Sequence, residues 1–290
     1  METEPREARV VTVTSGKGGV GKTTLTANLG AALAMRGQRV VVIDADVGLR
    51  NLDVMLGLEN RIVYDLVDVI EERCRLRQAL VRHKHLSKLF LLPAAQTHDK
   101  TAVQVEDMVR ICDQLTEQED GRHPFDVILI DSPAGIEWGF RYALAPANEV
   151  LIVTNPEVPA ARDADRVIGL IEAEEKGPAR LVINRLKPKM VERGQMLSIA
   201  DVVELLAIEL IGVVPEDQEV LISANRGQPL ATSRDSSQAG NAFHNIARRM
   251  LGEEVPFQPL REPGMLERFL RFVSPGVDGR KRHSYTPGRS

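Results

Sequence analysis

The residues most able to do chemistry lie together near the start of the chain, in Ser15-Gly16-Lys17-Gly18-Gly19-Val20-Gly21-Lys22-Thr23-Thr24. The segment fits GxxxxGK[ST], with Gly16, Gly21, Lys22 and Thr23 at the fixed positions. Gly16, Gly18, Gly19 and Gly21 let the backbone fold around an anion with its N–H groups turned inward, and a helix starting at Lys22 adds the positive end of its dipole. Lys22 is expected to reach the β- and γ-phosphates of a nucleoside triphosphate, and the Thr23 hydroxyl to ligate Mg²⁺. Three aspartates accompany the loop. Asp131 closes the run Ile128-Leu129-Ile130 and reads as the carboxylate that holds Mg²⁺ directly or through water. Asp46, just past Val42-Ile43-Asp44, suits the orientation of an attacking water, while Asp44 is placed to support either metal or loop. Lys17 has two readings from its position alone, a solvated side chain or a lysine that reaches a phosphate held by a neighbouring copy.

These residues need strands to aim them. Short apolar, β-branched runs occur at 10–14, 39–44, 89–92, 126–131, 149–154, 180–184 and 211–214, nearly unbroken as in strands covered on both faces. Helical stretches lie between them, among them 22–35, 104–119, 159–175 and 199–209. The alternation predicts an α/β fold with one doubly wound, mostly parallel sheet over residues 1–252, whose ligand crevice lies beyond the carboxyl ends of the strands.

Composition narrows the alternatives. The chain has 290 residues, 27% charged and 43% hydrophobic, with a net charge of −4 and no apolar run long enough to span a bilayer. The acidic balance gives no reason to expect nucleic-acid binding. The N-terminus lacks an apolar signal region, so a cytoplasmic protein is expected. Cys74 and Cys112 form no CxxC pair, which argues against a disulfide framework or an iron–sulfur cluster. His83 and His85 are expected to be surface residues at a helix end rather than ligands.

The box KGGVGKTT resembles the deviant phosphate loop of the ParA/MinD ATPase superfamily, and longer stretches resemble its MinD branch of septum site-determining ATPases. They include Asp46 to Asp53, Arg61 to Asp65, Leu92 to Thr97, Asp131 to Glu137, and Thr154 to Val158 through Arg162 to Arg166; the similarity covers nearly all of residues 9–252 and is nearest to cyanobacterial or plastid forms. The resemblance implies a P-loop fold, hydrolysis of ATP with Mg²⁺, and a homodimer that sandwiches two ATP molecules. It makes Gly16 to Thr24 the nucleotide cradle, has Lys17 cross the dimer interface to the partner's γ-phosphate, and groups Lys17, Lys22 and Asp46 as catalytic, with Thr23 and Asp131 at the metal. The Gly135 N–H is implied near the γ-phosphate, and Asn184, Pro215 and Asp217 near adenine. Partners implied are a MinC-like division inhibitor and a MinE-like activator, engaged around Glu157 to Arg166. DNA-segregation ATPases of the ParA type and flagellar-number regulators are the alternatives within the same fold.

After residue 252 the sequence changes character, and 253–290 reads as a tail. At 100° per residue, Met265, Leu266, Phe269, Leu270, Phe272 and Val273 fall on one arc, with Glu267, Arg268 and Arg271 opposite. A helix over about 265–273 rises only about 13 Å, so it can lie in a bilayer interface but cannot cross it. Beyond residue 264, six basic side chains face only Glu267 and Asp278, so the acidic excess belongs to the body and the tail suits an anionic membrane surface. Reversible, peripheral attachment to the inner face of the plasma membrane is the expectation.

Overall fold

The computed structural model describes residues 8–96, 102–117, 125–233, 237–258 and 260. The expected tail helix, with Met265, Leu266, Phe269, Leu270 and Phe272, lies outside them. Residues 1–258 form one compact unit and residues 259–290 a second.

Eight strands make a single sheet: β1 (Arg9–Thr14), β2 (Val40–Asp44), β3 (Val81–Arg82), β4 (Leu89–Leu92), β5 (Val127–Asp131), β6 (Glu149–Thr154), β7 (Ala179–Leu186) and β8 (Glu209–Pro215). Their order is β3-β4-β2-β5-β1-β6-β7-β8, and every pairing is parallel except β3 with β4. Among the described residues eleven α-helices accompany them: α1 (Lys22–Met35), α2 (Leu52–Leu56), α3 (Leu66–Ile70), α4 (Leu76–Ala79), α5 (Val105–Thr116), α6 (Trp138–Leu144), α7 (Val158–Ala173), α8 (Pro188–Glu192), α9 (Ile199–Leu206), α10 (Gln218–Asn225) and α11 (Gln238–Met250).

The unbroken apolar strands split their side chains between two cores because successive residues point to opposite faces. Val11, Val13, Val40, Val42, Val127 and Leu129 join one cluster with α1 and α11; Val10, Val41, Ile43, Ile128 and Ile130 join the other with α3, α5 and α6. Helix α1 carries almost no polar stripe, and Leu25, Leu29 and Leu33 are buried, since α11 and α2 cover the side that the sheet leaves. Close approach fixes α11: a Cβ on Gly212 of β8 would stand 2.2 Å from Ile246 Cγ1.

Two sequence expectations change. The helix expected over 199–209 stops at Leu206, where Ala207 turns left-handed (φ 51°) and frees Glu209 to start β8. His83 is not at a helix end or on the surface; it is buried beside the short β3, and its Nδ1 accepts the His85 and Leu86 N–H groups at 3.2 and 3.1 Å. Burial, with His85, Lys84 and Arg61 nearby, lowers its pKa to about 4, so it is neutral at pH 7.

Gly212→Val should cost about 1–3 kcal/mol by overpacking β8 against α11. Thermal melting should show the loss, and an added Ile246→Ala should recover part of it.

Candidate active site

Strand β1 ends at Thr14, in the middle of the sheet between β5 and β6, and the glycine-rich loop follows at once. Gly21 takes φ 102° at the N-terminus of α1, a conformation that side chains resist. The loop is strung between side chains. Lys22 Nζ donates to Ser15 Oγ at 3.0 Å, Ser15 Oγ donates to Lys17 O at 2.8 Å, and Asn184 Nδ2 donates to Val20 O at 2.7 Å. From outside, α7 closes on it so tightly that a Cβ on Gly16 would lie 2.1 Å from the Asp163 carbonyl oxygen. Lys22 is buried, and desolvation lowers its pKa while Asp131 and Asp46 raise it. Lys17, five residues earlier in the same loop, is exposed.

The carboxylates meet at the ends of adjacent strands, Asp44 pairing in register with Asp131. Both are fully buried, at 1% and 2% exposure. Burial and the repulsion of Asp131 push Asp44 up to about 7, and burial raises Asp131 to about 6, opposed by hydrogen bonding from Thr23 and Thr26 and by the Lys22 charge. Thr26 Oγ1 lies 3.0 Å from Lys22 O and 3.3 Å from Asp131 Oδ1. The two readings of Asp44 now separate: its oxygens accept the N–H groups of Asp46 (3.0 Å) and Leu52 (3.1 Å), so it supports the loop. Asp46 is half-buried and close enough to Lys22 and Asp131 to act on both electrostatically.

Sequence reasoning missed two supports. Ser15 relays Lys22 to the loop backbone, and Tyr142 of α6, fully buried, donates to the Ala45 carbonyl between Asp44 and Asp46 at 2.6 Å. Ser15 had a signal in its place beside Gly16; Tyr142 had none, being distant in sequence. Other expected residues make contacts within the protein. Gly135 (φ 90°) directs its N–H at Ser15 O, 3.4 Å away. Asn184 spends one amide hydrogen on Val20, Pro215 ends β8, and Asp217 caps α10 by accepting from Glu219 N at 3.0 Å.

The donor set fits Mg²⁺ and a phosphate chain. A buried carboxylate bonded to a threonine hydroxyl offers hard oxygen ligands, and Thr14 Oγ1 and Asn155 Oδ1, beside the same crevice, are buried without partners. Among the described residues no cluster of three His, Cys, Asp or Glu side chains could hold a metal ion.

Residues 11–230 match the model of the CobQ/CobB/MinD/ParA nucleotide binding domain. The septum site-determining protein MinD of Synechocystis sp. is 56% identical over 249 residues, covering 86% of this chain and 91% of that protein. The chain belongs to the MinD family. Among solved structures, the MinC:MinD cell division complex of Aquifex aeolicus superposes with a TM-score of 0.80 at 48% identity, covering 87% of this chain and 99% of that one. The septum site-determining MinD of Pyrococcus horikoshii, solved with Mg-ADP, gives 0.74 at 26%, covering 84% and 96%. Family, fold and phosphate loop together make this MinD-family chain an ATPase of the division-site-placing class.

A group whose folded pKa is raised is penalised once it ionises. Removing the Asp131 charge therefore helps the nucleotide-free fold above pH 7 and does nothing below about pH 4, where the wild-type carboxyl is already neutral. The melting-temperature difference, Asp131→Asn minus wild type, should be positive at pH 8 and shrink toward zero by pH 4, while the variant loses ATP hydrolysis.

Proposed function

We propose that this chain cycles between a nucleotide-poor monomer and an ATP-bound homodimer, and that only the dimer holds an anionic membrane surface and recruits a division inhibitor. The observation that carries the reading is the contrast in burial of two lysines in one loop. Lys22 is buried against Ser15 of its own chain, whereas Lys17 is exposed with its carbonyl pinned by the same serine. An exposed lysine whose backbone is held by Ser15 is available to serve a second copy's γ-phosphate, as an arginine finger does.

Within one subunit the loop N–H groups and Lys22 bind and orient the phosphates, Thr23 and Asp131 hold Mg²⁺, and Asp46 positions the attacking water. Mg²⁺ supplies neutralisation of the phosphate charge. Asp44 and Tyr142 keep the Asp46 segment from drifting. Adenine is assigned to the region of Asn184, Pro215 and Asp217, where one Asn184 N–H and its Oδ1 remain for the base edge.

For the membrane, the apolar stripe of 265–273 and the basic excess beyond it support an interfacial helix of marginal affinity, and pairing two such helices makes the second insertion intramolecular. No described helix is long and apolar enough to cross a membrane. The partners proposed are a MinC-like inhibitor, supported by likeness to the Aquifex aeolicus complex, and a MinE-like activator, both at the exposed side of α7 around Glu157 to Arg166. The ATPase body is assigned to 1–252 and the tail to 253–290, the first residues of which, 253–258, pack with the body; the protein is read as cytoplasmic and reversibly peripheral.

Sedimentation with vesicles containing phosphatidylglycerol should pull down the chain with ATP and leave it in solution with ADP. Equal binding in both would overturn the cycle. Lys17→Ala should abolish ATP-dependent dimerisation by light scattering or cut hydrolysis by at least about 100-fold, and undiminished turnover would remove the cross-subunit role.

A further inference from the structure

The chain does not swing free after α11. Two residues past the end of α11, Gly252 turns left-handed (φ 85°), and Glu253 N–H folds back onto Arg248 O at 3.0 Å. The Glu253 carboxylate then bridges Arg248 Nε at 2.7 Å and Arg36, at the end of α1, at 3.1 Å. One residue fastens the stretch beyond. Arg249 donates from Nη1 to Ile211 O of β8 (2.9 Å), from Nε to Val255 O (3.0 Å) and from Nη2 to Pro256 O (3.3 Å), and its guanidinium stacks on the Phe257 ring with 3.9 Å to the centroid. Strand β8 is the edge of the sheet, and Ile211 falls at a break in its register with β7, so its carbonyl takes a side-chain donor in place of a strand partner.

A single planar cation thus joins the sheet edge, two carbonyls of an extended strap and an aromatic ring half-exposed at its end. Lysine could supply neither the fork nor the stacking. We infer that Arg249 is a positioning residue for membrane attachment: it fastens 253–258 to the body, so that the tether to the amphipathic segment begins at 259 rather than at 253. This rests on the proposed membrane role of the tail. Six residues, 259–264, then separate the strap from Met265, and releasing the strap makes that separation twelve residues, 253–264. Effective concentration falls roughly as the −3/2 power of tether length, so release lowers the second tail's effective concentration about threefold.

The test compares full-length wild type, Arg249→Ala and Phe257→Ala, all with ATP and Mg²⁺, on phosphatidylcholine vesicles containing phosphatidylglycerol. Both variants should need about threefold more lipid for half-maximal sedimentation, hydrolyse ATP without vesicles at the wild-type rate, and exchange the amide hydrogens of 253–258 faster. Phe257→Ala touches only the strap, so it decides the matter if Arg249→Ala weakens α11. Faster exchange with unchanged lipid dependence would overturn the inference, as would exchange that neither substitution alters. Failure of the wild type itself to bind vesicles with ATP would overturn the membrane reading and with it the attachment role, leaving the exchange data to show only whether Arg249 holds the strap.

Discussion

Two like-charged carboxylates removed from water at the ends of neighbouring strands set the terms for everything around them. Asp44 and Asp131 stand in register on β2 and β5, and the low dielectric that strengthens their interactions also makes their charges costly. The surroundings offset that cost from both sides. Asp44 takes two backbone N–H groups and becomes a strut for the segment that carries Asp46; Asp131 takes threonine hydroxyls and the nearby Lys22. That pair of costly charges would gain from a divalent cation. A site that is stabilised by its ligand and uncomfortable without it has, in its electrostatics alone, the basis of a two-state device.

The phosphate loop is coupled to that pair through short contacts rather than through flexibility. Lys22 reaches Ser15, Ser15 reaches Lys17, and Asn184 reaches Val20, so a shift of the loop is felt at β1, at β7 and, through the Gly16 contact, at the first turns of α7. The glycine is needed there for lack of room as much as for backbone freedom. The same helix presents exposed charge at Arg166, so a charged surface and the contact on the phosphate loop are two sides of one element.

Much of this was legible in the sequence because buried parallel strands and the GxxxxGK[ST] box have strong, local signatures. Strands 89–92 and 149–154 and helix 22–35 sit where their apolar runs end. What was not legible depends on contacts between residues far apart in the chain. Strand β3 is two residues of antiparallel edge, too short to show a period, and it carries His83 inward with it. The Tyr142 hydroxyl meets Ala45 only because β5 pairs with β2, which brings the helix after β5 to the loop after β2. Family likeness assigns Asn184 to the base, and the structure shows its amide already bonded to Val20, a placement that spacing cannot express. The apolar stripe of residues 265–273 lies beyond the described residues, and its reading still rests on periodicity and charge.

The two margins of the sheet are unalike, yet both are spoiled as templates for growth. On one side the last strand is β3, too brief and reversed in direction; on the other, the strap and the Arg249 guanidinium occupy the flank of β8. Strand-to-strand addition of further molecules, the route to open fibres, is discouraged at either flank.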